Sequence, residues 1–192
     1  GIPTFGVAAP AVDADAPRAT ATDRAVTTGG RTSVVSGAER DPHATAVAVP
    51  MLEDLYVASR GGGVRYNGEG VTVETGDTVP LSHGTVGMLI GPAVLSGGAE
   101  RREWDAISEE VEAVTKRAIP TWAPVVYWGL FARGRLDGFV CYHPDEREQV
   151  AGELLAREAG AVERSRGALT VFGADERTAD ALFAAATDAL DD

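Results

Sequence analysis

The sequence predicts an α/β fold of the α+β layered kind, with helix layers alternating with sheet layers. Three observations carry this. Short apolar runs broken by glycine fill the first half of the chain. Helical periodicity takes over after Leu95, and short apolar strands lie between the later helices. With 192 residues, 44% of them hydrophobic and 24% charged, the chain has enough material for one sizeable core. We therefore expect one domain over residues 1–192, strand-rich over 1–95 and α/β over 96–192.

The elements follow in chain order. Ile2, Phe5, Val7 and Ala9 punctuate an extended opening segment over 1–12. From Asp13 to Asp41 the chain is rich in Ala, Thr, Asp, Gly and Arg, and reads as a loop-like excursion. Residues 45–59 read as two strands around a turn at Met51 to Asp54. Arg60-Gly61-Gly62-Gly63 leads into a short strand that ends at Asn67-Gly68, a pair that tolerates positive φ and favours a tight hairpin. Val71 to Val73 continues the meander, and Thr85 to Leu95 reads as a glycine-interrupted strand.

Trp104, Ile107, Val111 and Val114 recur on one face of a helix expected over Glu103 to Arg117. Pro120 ends it. Pro124 suits the first turn of a helix running to Arg133, which Gly134 can cap. Gly134 to Phe139 then reads as a glycine-bounded turn into an aromatic strand. A helix over Asp145 to Ala159 stops at Gly160. Strands at Ala161 to Glu163 and Leu169 to Phe172 precede a last helix capped by Asp175, with Ala179, Leu182, Phe183, Ala186 and Leu190 facing inward.

Charge narrows the partners. Twenty-nine acidic residues face 17 basic ones, giving a net −12 and a pI near 4.6. Lys116 is the only lysine. Nucleic acid and anionic membranes require Lys/Arg neutralisation of phosphate, so neither is an expected partner. No apolar run approaches the ~18 residues that span a bilayer. A solvated acidic surface suits high salt, where screening relieves self-repulsion, and we expect a halophilic cytoplasm. Cys141 is the only cysteine, so no internal disulfide can form. One Cys with three scattered histidines, His43, His83 and His143, makes no zinc site.

Several segments, taken in order, resemble the inositol monophosphatase family. Gly1-Ile2-Pro3-Thr4-Phe5 resembles the strand that follows the family's Asp-Pro-x-Asp-Gly-Thr motif. Pro50 to Gly63, with Tyr66-Asn67-Gly68, resembles its central hairpin. Ala132 to Phe139 resembles the segment before its last metal ligand, and Ala151 to Gly160 the helix after it. The resemblance implies alternating helical and sheet layers and Mg²⁺-dependent hydrolysis of inositol or sugar phosphate monoesters, with a homodimer possible.

It also implies a depleted site. Most of the family's metal ligands come from an early helix and from the Asp-Pro-x-Asp-Gly-Thr loop, both upstream of the position matching Gly1. These 192 residues are thus expected to lack the family's N-terminal part. Glu148 takes the place of the last ligand, an aspartate, and Arg147 that of the tryptophan before it. Two readings of Glu148 stand side by side: a metal ligand, or the reaching-back partner of a capping box with Asp145. Cys141 takes the place of a substrate-binding acid and reads as a buried apolar filler. Trp122-Ala123-Pro124 takes the place of the Gly-Ser/Thr-Ala turn, so Ala123 stands where a ligand-binding hydroxyl is usual. Trp122 reads as a packing residue, and Arg60-Gly61-Gly62-Gly63 as a hairpin turn rather than a phosphate loop. Asp137 reads as the cap of its own turn; His83 and His143 read as exposed. The expected function is a magnesium phosphomonoesterase scaffold with impaired or absent catalysis, a pseudoenzyme. The rival is a non-catalytic dimerisation or binding module.

Overall fold

A computed structural model describes residues 7–11, 42–74, 79–121 and 123–191, with the backbone alone for 7–11, 146–148 and 191. The excursion expected over 13–41 and the opening pentapeptide lie outside the described residues, as does Trp122.

Five strands, β1 (Val7–Ala11), β2 (Ala44–Val49), β3 (Asp54–Ser59), β4 (Gly63–Tyr66) and β5 (Glu69–Val71), form a first, wholly antiparallel sheet in chain order. The meander follows from its turns. Asn67 (φ 48°) and Gly68 (φ 90°) both adopt the left-handed conformation that a two-residue hairpin needs, and Asn67 Oδ1 accepts from the Leu55 amide at 2.8 Å. β2 and β3 alternate strictly. Val47, Val49, Tyr56 and Ala58 point inward, while Ala46 pairs with Val57 and Ala48 with Leu55 on the other face.

The second sheet is mixed, in the order β7 (Arg117–Pro120), β6 (Thr85–Ile90), β8 (Gly138–Tyr142), β10 (Leu169–Gly173), β9 (Val162–Arg166). β7, β6 and β8 are parallel neighbours; β10 runs against them, and β9, antiparallel to β10, shares their direction. Five α-helices complete the described residues: α1 (Pro92–Leu95), α2 (Ala99–Val114), α3 (Pro124–Ala132), α4 (Glu146–Glu158) and α5 (Glu176–Asp191).

Two cores fix the layering. One joins the inner face of the first sheet (Val47, Tyr56, Val64) to α3, α4 and one face of the second sheet (Leu89, Phe139, Phe172). The other joins the opposite face of the second sheet (Val86, Met88, Val140, Val171) to α2 and α5. The layers therefore run sheet, helices, sheet, helices. α3 is apolar almost all round, as a helix between two sheets must be, whereas α2 keeps one buried stripe of Trp104, Ile107 and Val111. Trp128 sits at the centre of the first core, 4.3 Å from the Phe139 ring and 5.2 Å from Phe172.

Some expectations needed correction. The helix expected over Glu103 to Arg117 begins earlier, at Ala99, and stops at Val114. Thr115 is already extended, and Arg117 to Pro120 pair with Thr85 to Met88 as the edge strand β7. The strand expected over Thr85 to Leu95 stops at Ile90 and gives way to the short α1 at Pro92. Asp137 does not cap its own turn: its Oδ2 accepts from the Thr85 amide at 2.7 Å and anchors the start of β6. Asp175 does cap the last helix, accepting from the Thr178 amide at 2.7 Å.

Candidate functional site at the shared strand edge

Three parallel strands end together. Met88 is level with Pro120 and Ile90 with Tyr142, so Thr121, Gly91 and His143 leave the sheet along one rim. Each exit leads into a helix start, at Pro124, Pro92 and Glu146 respectively. In open α/β sheets, ligands bind in the crevice beyond the carboxyl ends of parallel strands, facing the first amides of helices. That rim is the candidate site. The exits are tightly joined. The Thr121 amide donates to Met88 O at 2.9 Å, and a Cβ on Gly91 would lie 1.7 Å from His143 O, so only glycine fits there. His143 adopts φ 45° and sets its ring edge-on to Tyr142 at 4.7 Å; it is half-buried rather than exposed.

The side chains at this rim have specific chemistry. Thr121 is buried, and its Oγ1 accepts from the Ala123 amide at 3.1 Å, which commits the hydroxyl to starting α3. Ala123 offers only a methyl group. Cys141 is fully buried in the inner core. Burial, reinforced by the nearby Glu153 charge, holds its thiol well above the ordinary range, against the opposing hydrogen bond with Gln149. A thiol held neutral is neither a nucleophile nor a metal ligand. Gln149, in the first turns of α4, is buried and donates Nε2 to Glu153 Oε1 at 2.8 Å. Its Oε1 is buried and has no hydrogen-bond partner among the described residues. Trp128 Nε1, against Gly152 on the same helix, is in the same condition. The Glu148 side chain lies outside the described residues, as does the capping-box contact expected of it with Asp145.

Of the residues singled out by resemblance, Ala123 lies just before α3 and Cys141 lies within β8, fully buried. The sequence reading missed Thr121 and Gln149. A hydroxyl three residues before a helix-opening proline is a weak turn signal, and Gln149 with Glu153 at i, i+4 is the kind of polar helix pair that could have drawn attention.

Two further polar clusters lie elsewhere. Asp54 is buried; its carboxylate accepts from Tyr66 Oη at 2.6 Å and Tyr56 Oη at 3.4 Å, with Arg133 Nη2 at 3.7 Å. The Arg133 guanidinium lies over the Tyr66 ring at 4.4 Å, which fastens the end of α3 to the first sheet. Second, the 60–63 hairpin turn holds Glu158 from the end of α4: the Gly61 amide donates to Oε1 at 2.9 Å and the Gly63 amide to Oε2 at 3.0 Å.

Comparison with solved structures decides the fold. The extragenic suppressor protein suhB from Bartonella henselae superposes with a TM-score of 0.64 at 19% identity, over 77% of this chain and 59% of its own. SuhB from Mycobacterium tuberculosis gives 0.65 at 24%, over 78% and 60%. The inositol monophosphatase from Anabaena gives 0.61 at 16%, over 75% and 58%. The chain has the inositol monophosphatase fold. It spans 57–60% of the length of these SuhB structures. No family profile matches the chain, and no curated protein matches it significantly.

The magnesium implied by that likeness can be set against the donors present. Mg²⁺ demands hard oxygen ligands in near-octahedral geometry. The described rim supplies a buried neutral thiol, an amide, a hydroxyl that accepts from a backbone amide, a methyl group and one carboxylate, Asp145. Among the described residues, no group of three or more His, Cys, Asp or Glu side chains is placed to share a metal ion. The described donors do not fit the ion. No described helix is long and apolar enough to cross a membrane.

Proposed function

We propose that this chain is an inositol-monophosphatase-like phosphomonoester-binding domain. The chemistry of its scaffold is Mg²⁺-dependent hydrolysis of inositol or sugar phosphates, and these 192 residues alone hydrolyse little or nothing. One observation carries the reading: three parallel strands deliver three helix starts to one rim, whose backbone amides suit a polar ligand, while no described group of carboxylates there is placed to cluster divalent ions. A cytoplasmic setting in a salt-rich cell accords with the acid-rich composition. The test is isothermal titration with Mg²⁺, followed by phosphate release from inositol 1-phosphate at saturating Mg²⁺. We expect no carboxylate-dependent Mg²⁺ uptake and turnover at the no-enzyme background. Stoichiometric Mg²⁺ binding that Glu148→Gln abolishes, together with turnover, would overturn the impaired-catalysis reading.

A second reading, a non-catalytic dimerisation or binding module, draws on a different observation. Met51, Leu52, Leu55 and Val57 are all exposed and cluster on one hairpin of the first sheet, with Leu55 and Val57 on the face turned away from α3 and α4. Contiguous exposed apolar surface commonly marks an interaction site. Sedimentation of the wild type against Leu55→Asp/Val57→Asp separates the two readings. A wild-type homodimer that the double variant converts to monomer favours the module; a monomer in both disfavours it.

A further inference from the structure

The Arg60–Gly63 turn holds a site that its hairpin role does not require. Gly61 (φ 69°) and Gly63 (φ 71°) both take the left-handed conformation, which turns two amides toward one point. Both amides donate to a single carboxylate, that of Glu158, one to each oxygen. The Gly62 amide between them closes the turn by donating to Ser59 O at 2.8 Å, so two alternate amides, Gly61 and Gly63, converge as a nest-like pair with fixed partial positive charge of the kind that binds anions. A Cβ built on Gly61 meets nothing within 4 Å, so the mouth of the nest is open on that side. The nest's present ligand comes from 95–97 residues away in sequence, at the last position of α4.

We propose that the 60–63 turn is an oxyanion site of the inorganic phosphate class, filled in the resting chain by the Glu158 carboxylate, and that phosphate competes with Glu158 for it. The chemistry matches at each atom. A phosphate oxygen pair presents two acceptors to two N–H donors as a carboxylate does, and charge-assisted bonds to backbone amides are the strong kind. Glu158 wins in the resting state because it is tethered; its effective concentration at the nest exceeds ordinary anion concentrations. The nest is separate from the strand rim, so this inference stands whether or not the proposed function does.

The experiment follows the Gly61 and Gly63 amide resonances in ¹⁵N-labelled full chain while inorganic phosphate is titrated at constant ionic strength. Sulfate serves as a second probe and chloride as the control. In Glu158→Ala both amides should shift saturably. In wild type the apparent affinity should be weaker by about tenfold or more, because phosphate must displace the tethered carboxylate. Glu158→Gln keeps one acceptor and frees one amide, so it should bind with intermediate affinity. It also carries the test if the alanine variant fails to fold. Amides that stay unmoved in a folded Glu158 variant, or that shift alike in variant and wild type, overturn the proposal.

Discussion

Gly152→Ala isolates the contact on which the inner helix layer depends. Gly152 lies within α4, where alanine is ordinarily the better helix residue by about 1 kcal/mol. Here the gain is overruled. A Cβ at this position would lie 2.1 Å from Trp128 Nε1 and 2.2 Å from both Cδ1 and Cε2, far inside contact distance. Trp128 cannot yield, since it is fully buried and packed against the tilted Phe139 ring at 4.3 Å and edge-on to Phe172 at 5.2 Å. Forcing a methyl group into a packed core costs roughly 1–3 kcal/mol, and more when the neighbour is rigid, so the net effect is a loss of about 2 kcal/mol against a propensity that runs the other way. For a chain of this size that lowers Tm by about 4–8 °C. Urea unfolding followed by far-UV circular dichroism reads it directly. The double variant Gly152→Ala/Trp128→Leu removes the ring atoms that the added methyl would meet, so the two substitutions should cost less together than the sum of the single losses. A Gly152→Ala protein as stable as wild type, or more stable, would refute this packing.

The other expectations are quicker to state. Asp54→Ala removes the acceptor shared by Tyr66, Tyr56 and Arg133 and should cost about 3 kcal/mol by stranding a largely buried guanidinium; a urea midpoint within error of wild type would refute it. The raised Cys141 thiol predicts a sign. Folded and unfolded forms are protonated alike below the unfolded pKa of about 8.5, and above it the unfolded chain ionises first, so stability falls with rising pH by up to about 1.4 kcal/mol per unit. Cys141→Ala should flatten that slope above pH ~8.5, and an unchanged slope would contradict it. With a net charge of −12, raising NaCl from ~0.1 to ~1 M shortens the screening length from about 10 to 3 Å and should raise the urea midpoint; a flat response would argue against self-repulsion as a cost.

Much of the fold could be read along the chain because its signals are local. The Asn67-Gly68 turn, Pro124 at the head of α3, Gly160 after α4 and the Asp175 cap each act within a few residues, and each element lies where those residues put it. β7 escaped because Lys116 and Arg117 look like the basic end of a helix. What makes 117–120 a strand is the waiting edge of β6, a partner more than 30 residues away in sequence. Asp137 was misassigned for the same reason, its true acceptor role being 52 residues distant. At the rim, Gln149 was not legible. An amide in a helix heading gives no sign that one of its atoms will end up buried and unmatched.

The common direction of β6, β7 and β8 has an electrical consequence. The longer helices that follow them, α3 and α4, begin at the same rim, so their partial positive ends lie together on a protein whose surface is otherwise strongly negative. An incoming anion is repelled from afar and welcomed only over the last few ångströms. Added electrolyte quenches the far field before it touches the near one, so for any negatively charged visitor to this rim, capture quickens as ionic strength rises, the reverse of the usual behaviour of an anion receptor.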